Sequence, residues 1–307
     1  MKIIVLGSGA WGSALAYHFN AAGHDVTVWG RNVGDAPAGC ARISGDTSLP
    51  DADLVVLSTP AQTTRGVLTK MLPQIRSDAG LIITSKGIER GTLALQSDIV
   101  GDIAPTNPLG VLTGPSFAAD VLAGRPTGLT LACADPEQGR DWRDALAGNV
   151  IRVYYTPDVV GAQIGGAMKN VIAIACGIVA GCGMGASAQA TVMTRGFAEM
   201  SKLGVSMGAD LETLGGLSGL GDLALTCHSP LSRNYSYGFA LGEKGKAPET
   251  GTFEGALTAQ AALNLGKRHG LDLSFTETTA ALVEGRMTVQ QAMQNIFARP
   301  LKDETLT

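Results

Sequence analysis

The sequence has few charged and few aromatic side chains. Charged residues make up 16% and aromatic residues 5% of its 307 residues, whereas globular proteins average roughly 25% charged residues. Neither sign of charge dominates, because 23 basic and 27 acidic residues leave a net charge of −4. This balance excludes a general electrostatic attraction to nucleic acid or to an anionic membrane, and leaves only a local basic pocket for an anionic ligand.

Cysteines are also few, and they are not clustered. Their number is odd, no two have the C-x-x-C spacing, and no group of histidines accompanies them. We therefore expect buried, reduced thiols, with no metal site and no disulfide framework. The five cysteines are Cys40, Cys133, Cys176, Cys182 and Cys227.

The long apolar segments are compatible with a cytoplasmic protein. The chain begins Met-Lys-Ile-Ile-Val-Leu-Gly, and because this apolar run is too short for the core of a signal peptide, we predict a first β-strand there. Residues 170–194 carry no charge and are numerous enough to span a bilayer. Four glycines and a polar end favour instead a helix buried in the core of the protein.

Glycine, by contrast, is abundant, with 41 residues. The glycines have no fixed period and 45% of all residues are hydrophobic, which excludes a collagen-like or disordered chain. A chain of 307 residues is typical of one or two domains with a sizeable core.

Hydrophobic patterning divides the chain near residue 156. Before this point, short apolar runs alternate with helical segments, which predicts βαβ units and a parallel sheet buried on both faces. After it only helical patterns follow, and Asp158 is placed to cap a long helix that contains Lys169. We predict an α/β protein, with an N-terminal Rossmann-type dinucleotide-binding domain (1–156) followed by an all-α C-terminal domain (157–307). The candidate strands are 2–7, 25–30, 53–58, 80–85, 109–114, 128–133 and 150–155, and the candidate helices of this half include 10–22, 61–72 and 136–147.

The first predicted strand leads into a glycine-rich turn, Gly7-Ser8-Gly9-Ala10-Trp11-Gly12. In such a turn Gly7 permits the sharp bend, Gly9 lets the backbone approach a pyrophosphate, and Gly12 lets the helix pack against the strand. The helix N-terminus then presents N–H groups to the phosphates. The strand before and the helix after the turn predict dinucleotide binding, whereas the glycine spacing alone would also fit an ordinary turn.

Arg31 follows the second predicted strand, where NAD-binding sites usually have Asp or Glu for the ribose hydroxyls. An arginine can pair with a 2′-phosphate instead, so the sequence favours NADP over NAD. A solvated loop arginine is the alternative interpretation.

Three segments of the predicted helical domain carry polar groups in apolar surroundings. Lys169 is costly to bury unless it is paired, and its amine can act as a general acid or base; a lysine at a helix edge is the alternative. Asp222 follows Gly-Leu-Gly and is either a functional carboxylate or an N-cap. In Ser232-Arg233-Asn234 the guanidinium suits bidentate phosphate binding, or it lies on a surface loop.

Together with the first half, these segments resemble the NAD(P)-dependent glycerol-3-phosphate dehydrogenase family of bacterial type. The resemblance implies reversible NAD(P)H-dependent reduction of dihydroxyacetone phosphate to sn-glycerol 3-phosphate, which supplies phospholipid synthesis. The matching stretches are GSGAWGSALA at 7–16, SKGIE at 85–89, GPSFA at 114–118, GGAMKNVIAIACGI at 165–178, TRGFAEM at 194–200, GLSGLGDLALTC at 216–227 and SRN at 232–234.

By this resemblance, Lys169 is the catalytic proton donor and acceptor. A homodimer that binds small molecules, and neither nucleic acid nor membrane, is the implied assembly. The implied substrate-binding residues are Lys86, Gly114, Ser116, Lys169, Asn170, Asp222, Thr226, Ser232, Arg233 and Asn234. The implied NADP- or NAD-binding residues are Gly7, Gly9, Ala10, Trp11, Gly12, Arg31, Lys86, Ala118, Arg233 and Glu254.

The sequence departs from the family pattern at three places. The segment after the second strand is short and lacks the family's Asn-x-x-Tyr/Phe-Leu-Pro stretch. Gln163 stands in place of a family glutamate, and Ala186 and Ser187 replace an Asp-Asn pair. We expect these changes to affect adenine-side affinity and regulation more than the reaction.

Other functions remain open at this point. The β-hydroxyacid dehydrogenase group shares the two-domain plan and the Lys-Asn pair, but its substrate carries a carboxylate, and Arg233 favours a phosphate. A lactate- or malate-type mechanism needs a His–Asp pair, and the four histidines are scattered. A non-catalytic NADP-binding regulator would not need to keep every catalytic group.

Overall fold

The protein is described by a computed structural model that covers residues 1–31, 37–45, 47–248 and 250–297. Its contacts divide the chain into two compact units. Unit 1 consists of Met1–Lys86 and Ala94–Gln163, and unit 2 consists of Gly87–Leu93 and the described residues from Ile164 onward. The domain boundary expected at residue 156 lies a few residues before this division and stays a prediction.

Unit 1 contains an eight-stranded sheet whose order is β3-β2-β1-β4-β5-β6-β7-β8. The strands from β3 to β6 are parallel, β6 and β7 are antiparallel, and β7 and β8 are parallel again. The order reverses between β1 and β4, which is where an open α/β sheet binds its ligand. The strands are β1 (Lys2–Leu6), β2 (Asp25–Gly30), β3 (Ala41–Ser44), β4 (Leu54–Leu57), β5 (Gly80–Ile83), β6 (Leu109–Thr113), β7 (Thr127–Ala132) and β8 (Ile151–Thr156).

Two features of this sheet differ from the prediction. Strand β3 was not predicted, because an edge strand whose residues are mostly exposed has no continuous apolar run. The parallel sheet predicted from the sequence is confirmed for the other strand pairs, and of the described strands only β6 and β7 are antiparallel. Buried strands look alike in sequence whichever way they run, so patterning did not reveal this reversal.

Helices cover both faces of the sheet. Along β1, Ile3 and Val5 belong to one apolar cluster, while Ile4 and Leu6 belong to another on the opposite face. This alternation with both faces buried explains the uninterrupted apolar runs of the central strands. The helices of unit 1 are α1 (Ala10–Ala21), α2 (Thr64–Met71), α3 (Gln96–Ile103), α4 (Ala118–Leu122) and α5 (Pro136–Leu146).

Apart from the short segment Gly87–Leu93, the described part of unit 2 consists of helices joined by turns. It begins inside the long helix α6 (Val159–Gly181), whose first turn is capped by Asp158, as predicted, since Oδ1 accepts a 2.7 Å hydrogen bond from Gly161 N. The remaining helices are α7 (Ala186–Ser206), α8 (Leu211–Gly215), α9 (Asp222–Cys227), α10 (Arg233–Lys244), α11 (Glu254–Arg268), α12 (Ser274–Val283) and α13 (Val289–Phe297).

Helix α6 is the one described helix that is long and apolar enough to cross a membrane. In its most apolar window 83% of the residues are buried inside the protein. The apolar run is therefore accounted for as a core helix.

Helices α6 and α10 meet along a line of close backbone contacts. A β-carbon added to Gly238 would overlap the carbonyl oxygen of Ile174, and one added to Gly242 would overlap that of Ile178. In both pairs the residue of α10 follows the residue of α6 by the same number of positions, so the two helices run parallel and in register. In the other direction, Gly177 and Gly181 of α6 lie equally close to carbonyl oxygens of α10. We call these four glycines the glycine seam.

All five cysteines are free thiols, as expected. Three of them are buried, as expected, whereas Cys40 and Cys182 are half-buried. A hydrogen bond with the Cys176 thiol, together with burial, raises the pKa of Cys227 above its usual value.

Candidate active site

The turn between β1 and α1 has the shape that its sequence predicts. Gly7 has a φ of 129°, which favours glycine, and a β-carbon there would overlap the carbonyl oxygen of Ser58. A β-carbon on Gly12 would overlap the carbonyl oxygen of Gly7. Both glycines are therefore required for the strand, the turn and the helix to pack together.

The turn is open at Gly9, on the side where a helix N-terminus can receive an anion. No atom lies within 4 Å of the β-carbon position of Gly9, and the first turn of α1 has neither an acidic residue nor a capping side chain. The first N–H groups of a helix have no partner within the helix and favour an anion. The indole Nε1 of Trp11 is buried without a hydrogen-bond partner in the described structure. The N–H groups at the start of α1, near Ala10, are of the kind that can bind a phosphate.

Arg31 is exposed at the end of β2. The following residues, 32–36, which belong to the shortened segment, lie outside the described residues. Arg31 is thus available to a ligand at the carboxyl end of β2, where the ribose of a dinucleotide lies in this fold.

Unit 1 also brings together the residues expected at the ends of β5 and β6. Lys86 Nζ donates a 3.3 Å hydrogen bond to the carbonyl oxygen of Gly114, which has a φ of 142°. Ser116 Oγ is buried without a hydrogen-bond partner in the described structure, and Ala118 begins α4. The Lys86 hydrogen bond therefore links the segments that follow β5 and β6 at the carboxyl edge of the sheet.

In unit 2, Lys169 forms a buried ion pair. Its Nζ donates to Asp222 Oδ1 at 2.7 Å and to Thr226 Oγ1 at 2.8 Å. The Thr226 hydroxyl donates in turn to the backbone oxygen of Asp222 at 2.6 Å. The side chains of Lys169 and Asp222 are only 10% and 1% exposed, so the ammonium is held in one direction inside the protein. An amine fixed in this way can transfer a proton to a ligand oxygen.

Glycines explain how α6 comes close enough to α9 for this pair to form. A β-carbon on Gly165 of α6 would lie 2.6 Å from the carbonyl oxygen of Ser218. Residues Leu217–Gly221 form a π-helical turn directly before Asp222, and a β-carbon on Gly219 would overlap the carbonyl oxygen of Leu214. The glycine-rich sequence before Asp222 thus folds into a tight turn that α6 can touch.

The three side chains of residues 232–234 have different contacts. Ser232 caps α10, because its Oγ accepts a 3.2 Å hydrogen bond from Tyr235 N. Asn234 is buried and donates to Asn170 Oδ1 at 2.9 Å. Arg233 is exposed at the first turn of α10, where helix dipole and guanidinium together favour an anion. Glu254, expected at the cofactor, is the first residue of α11 and is half-buried.

Two further polar residues have structural contacts. Gln163, one of the departures from the family, accepts from Ser97 N at 2.9 Å and donates to Ser97 Oγ at 2.8 Å. Its Nε2 also donates to the carbonyl oxygen of Val159 at 3.0 Å, a bond that an ionised carboxylate could not make. Glu199, in the TRGFAEM stretch, accepts from Phe275 N at 2.6 Å and Thr276 N at 2.9 Å. Burial raises the pKa of Glu199, and these hydrogen bonds oppose that shift.

The histidines do not form a catalytic pair in the described structure. His18 and His24 bond to carbonyl oxygens at the end of α5, and His228 bonds to Ala224 in its own helix. Among the described residues, no three His, Cys, Asp or Glu side chains are placed to hold a metal ion.

Sequence reasoning missed two kinds of residue. The first is Gly255, whose N–H donates to Asn234 Oδ1 at 3.0 Å. The second is the glycine seam, of which the sequence analysis used only Gly177 and Gly181, as residues that disfavour a membrane span. The repeated G-x-x-x-G spacing in α6 and α10 was the signal available.

A Rossmann-type unit with a phosphate-binding turn, joined to a helical unit with a buried, oriented lysine, defines the class of two-unit dinucleotide-dependent dehydrogenases. Family models match this assignment over almost the whole chain. The NAD-dependent glycerol-3-phosphate dehydrogenase N-terminus matches residues 2–43 and 40–139, and the C-terminus of the same family matches residues 158–294. The chain belongs to the NAD-dependent glycerol-3-phosphate dehydrogenase family.

Individual relatives agree with the family assignment. A glycerol-3-phosphate dehydrogenase [NAD(P)+] of Parvibaculum lavamentivorans is 43% identical, with 99% of this chain and 98% of the relative covered. One from Roseobacter denitrificans is 44% identical, with coverages of 99% and 100%. The crystal structure of glycerol-3-phosphate dehydrogenase from Coxiella burnetii has a TM-score of 0.91 at 30% identity, covering 97% of this chain and 99% of that one.

Proposed function

We propose that the protein catalyses the reversible reduction of dihydroxyacetone phosphate to sn-glycerol 3-phosphate and thereby supplies phospholipid synthesis. The observation that carries this proposal is the bond from Lys169 to Asp222 and Thr226 in a chain of this family. The reaction needs a proton at the substrate oxygen, and an oriented amine is a suitable donor.

The chemistry follows from what each side chain can do. When NADPH is bound, it supplies the hydride that reduces the carbonyl carbon. Lys169 donates a proton to the oxygen as negative charge develops there. Asp222 and Thr226 hold the Lys169 ammonium in place, so that little orientational freedom is lost on reaching the transition state.

The phosphate of the substrate requires a cation that a ligand can reach. Arg233 meets this need, because its guanidinium is exposed at a helix N-terminus. Binding energy from this remote group can serve to position the reacting carbonyl. The other proposed substrate-binding residues are Lys86, Gly114, Ser116 and Ser232, while Asn170 and Asn234, also expected at the substrate, are proposed to serve the site through their hydrogen bond to each other.

For the cofactor we propose NADP, with NAD as the weaker ligand. Arg31 supports this preference, since a guanidinium can pair with a 2′-phosphate. Gly7, Gly9 and Gly12 shape the phosphate-binding turn. The other proposed cofactor-binding residues are Ala10, Trp11, Lys86, Ala118, Arg233 and Glu254.

The test is an absorbance assay with purified protein, NADPH and dihydroxyacetone phosphate. We expect NADPH oxidation that depends on the phosphorylated ketone. Turnover of a carboxylate ketone or semialdehyde, with no reaction of dihydroxyacetone phosphate, would assign the protein to the β-hydroxyacid dehydrogenase chemistry instead. NADPH binding without any turnover would favour a non-catalytic regulator.

We also propose that the protein is a cytoplasmic homodimer. The family resemblance supports this proposal. So does the burial of α6, which is the one long apolar helix found in the described part of the chain. Light scattering on purified protein tests the mass, and fractionation of cells that express the protein tests its location. A monomer, or recovery in the membrane fraction, would contradict the respective statement.

A further inference from the structure

Three residues with proposed ligand roles in unit 2 share an unexpected property. Lys169, Arg233 and Glu254 lie on three different helices, α6, α10 and α11. In each case the next residue in sequence belongs to one chain of buried hydrogen bonds. These next residues are Asn170, Asn234 and Gly255.

The chain runs through the two asparagine side chains. Asn234 Nδ2 donates to Asn170 Oδ1 at 2.9 Å, and Asn234 Oδ1 accepts from Gly255 N at 3.0 Å. Asn170 Nδ2 donates to the carbonyl oxygen of Gly166 at 3.3 Å, which fixes the orientation of the first amide. Asn170 and Asn234 are 6% and 9% exposed, so water competes little for these bonds.

Close packing leaves this chain little room to lengthen. A β-carbon on Gly255 would overlap the carbonyl oxygen of Asn170, so the start of α11 lies directly against α6. The glycine seam continues the same contact. Asn234 follows Asn170 in the sequence by the same number of residues by which Gly238 follows Ile174. The amide pair is therefore the first step of one in-register contact between α6 and α10.

We infer that Asn170 is a positioning residue that, through Asn234 and Gly255, sets the places of Lys169, Arg233 and Glu254 relative to one another. This inference rests on the proposed function, in which these three residues serve the proton transfer, the phosphate and the cofactor. The chain couples them because a shift of any one helix must break a buried hydrogen bond, which leaves an amide unsatisfied.

The experiment measures ligand affinity as well as turnover. Dissociation constants of glycerol 3-phosphate and of NADPH are determined by calorimetry on folded Asn170→Ala protein. We expect both to rise, each by about tenfold, since losing a buried hydrogen bond costs about 1–3 kcal/mol and 1.4 kcal/mol is tenfold in affinity. The matched control is Asn264→Ala on α11, where an exposed asparagine bonds only to Gln260 among the described contacts, and both affinities should stay unchanged.

If these hydrogen bonds only stabilise the fold, a different result is expected. Asn170→Ala would then unfold at a lower temperature while the folded protein kept both wild-type dissociation constants, and that outcome would overturn the inference. If wild-type protein binds NADPH but never reduces dihydroxyacetone phosphate, the proposed function fails on its own, whatever Asn170→Ala does to the affinities.

A second variant keeps the test decisive if Asn170→Ala does not fold. Asn170→Asp retains the oxygen that accepts from Asn234 and loses the donor towards Gly166. We expect both affinities to stay within about threefold of wild type, because the hydrogen bond that links α6 to α10 through Asn234 is kept. A tenfold loss of both affinities in folded Asn170→Asp would show that the amide link does not position the ligands.

Discussion

The two units place their proposed ligand-binding groups by different means. In unit 1 these groups lie on turns that follow parallel strands, and backbone N–H groups and exposed side chains such as Arg31 carry much of the binding. In unit 2 they lie on helices, and buried hydrogen bonds such as Lys169 to Asp222 hold them. A change in unit 1 should therefore alter which dinucleotide binds, whereas a change in unit 2 should alter the proton transfer, the placement of the ligand-binding groups or the fold.

The largest effect is expected from Lys169→Ala. Without the proton donor, kcat should fall by about 10²–10⁴-fold. NADPH affinity should stay close to wild type, because the proposed phosphate-binding turn belongs to unit 1. Absorbance kinetics and fluorescence titration measure the two quantities.

The same substitution leaves the Asp222 carboxylate buried without its partner, which is strongly destabilising. The double variant Lys169→Ala/Asp222→Asn removes that charge and serves as the folding control. A folded Lys169→Ala protein with more than a tenth of the wild-type kcat would contradict the assigned role.

The next largest effect contrasts glycines of the two units. Gly238→Ala must push α10 away from α6, and overpacking of this kind costs about 1–3 kcal/mol of unfolding free energy. Gly66→Ala, in α2 of unit 1, meets no atom within 4 Å and should stabilise by up to about 1 kcal/mol. Denaturant unfolding measures both. Equal effects of the two substitutions would mean that the glycine seam is not tight.

A smaller effect, on selectivity alone, is expected from Arg31→Asp. The carboxylate should repel the 2′-phosphate of NADPH and accept the ribose hydroxyls of NADH. The ratio of kcat/KM for NADPH to that for NADH should fall by about tenfold or more, as a charged hydrogen bond is worth about 1.5–3 kcal/mol. The melting temperature should not change, because Arg31 is exposed. An unchanged ratio would remove the support for NADP.

The smallest effect concerns pH and stability in unit 1. Burial lowers the pKa of His18 below 6.5. The hydrogen bond to the Leu146 oxygen raises this pKa, and the nearby His24 lowers it further. The unfolded chain therefore binds a proton more readily than the folded protein, and stability is lost as pH falls below about 6.5. His18→Gln, which keeps a donor for Leu146, should show a shallower loss in thermal melts over this range. Parallel pH profiles of the two proteins would contradict this.

The sequence predicted the part of the site that depends on short-range spacing. The order of strand, glycine turn and helix is local, so the spacing of Gly7, Gly9 and Gly12 is enough to place them in the turn. The sequence also marked Lys169 and Asp222 separately as polar groups in apolar surroundings, because burying a lone charge is costly, whereas the hydrogen bond between them is seen only in the structure. Their roles in the reaction stay predictions.

What the sequence did not predict depends on which distant segments meet. The bond between Asn170 and Asn234, and the contact of Gly238 with Ile174, require that α6 and α10 lie parallel in one register. Spacing within a helix shows which residues share a face, but not which other helix that face meets. The reversal at β7 was missed for the same reason, since strand direction is set by the partner strand.

The position of Lys169 has a consequence for how the chain is made. Helix α6 leaves the ribosome before most of unit 2, and by composition it could be taken for a membrane-spanning segment. Lys169 lies near the middle of Val159–Gly181, where a lysine opposes membrane insertion by about 2.5–3.5 kcal/mol. The residue proposed to move a proton in the finished enzyme thus also helps the nascent helix to stay out of the bilayer until its own core forms around it.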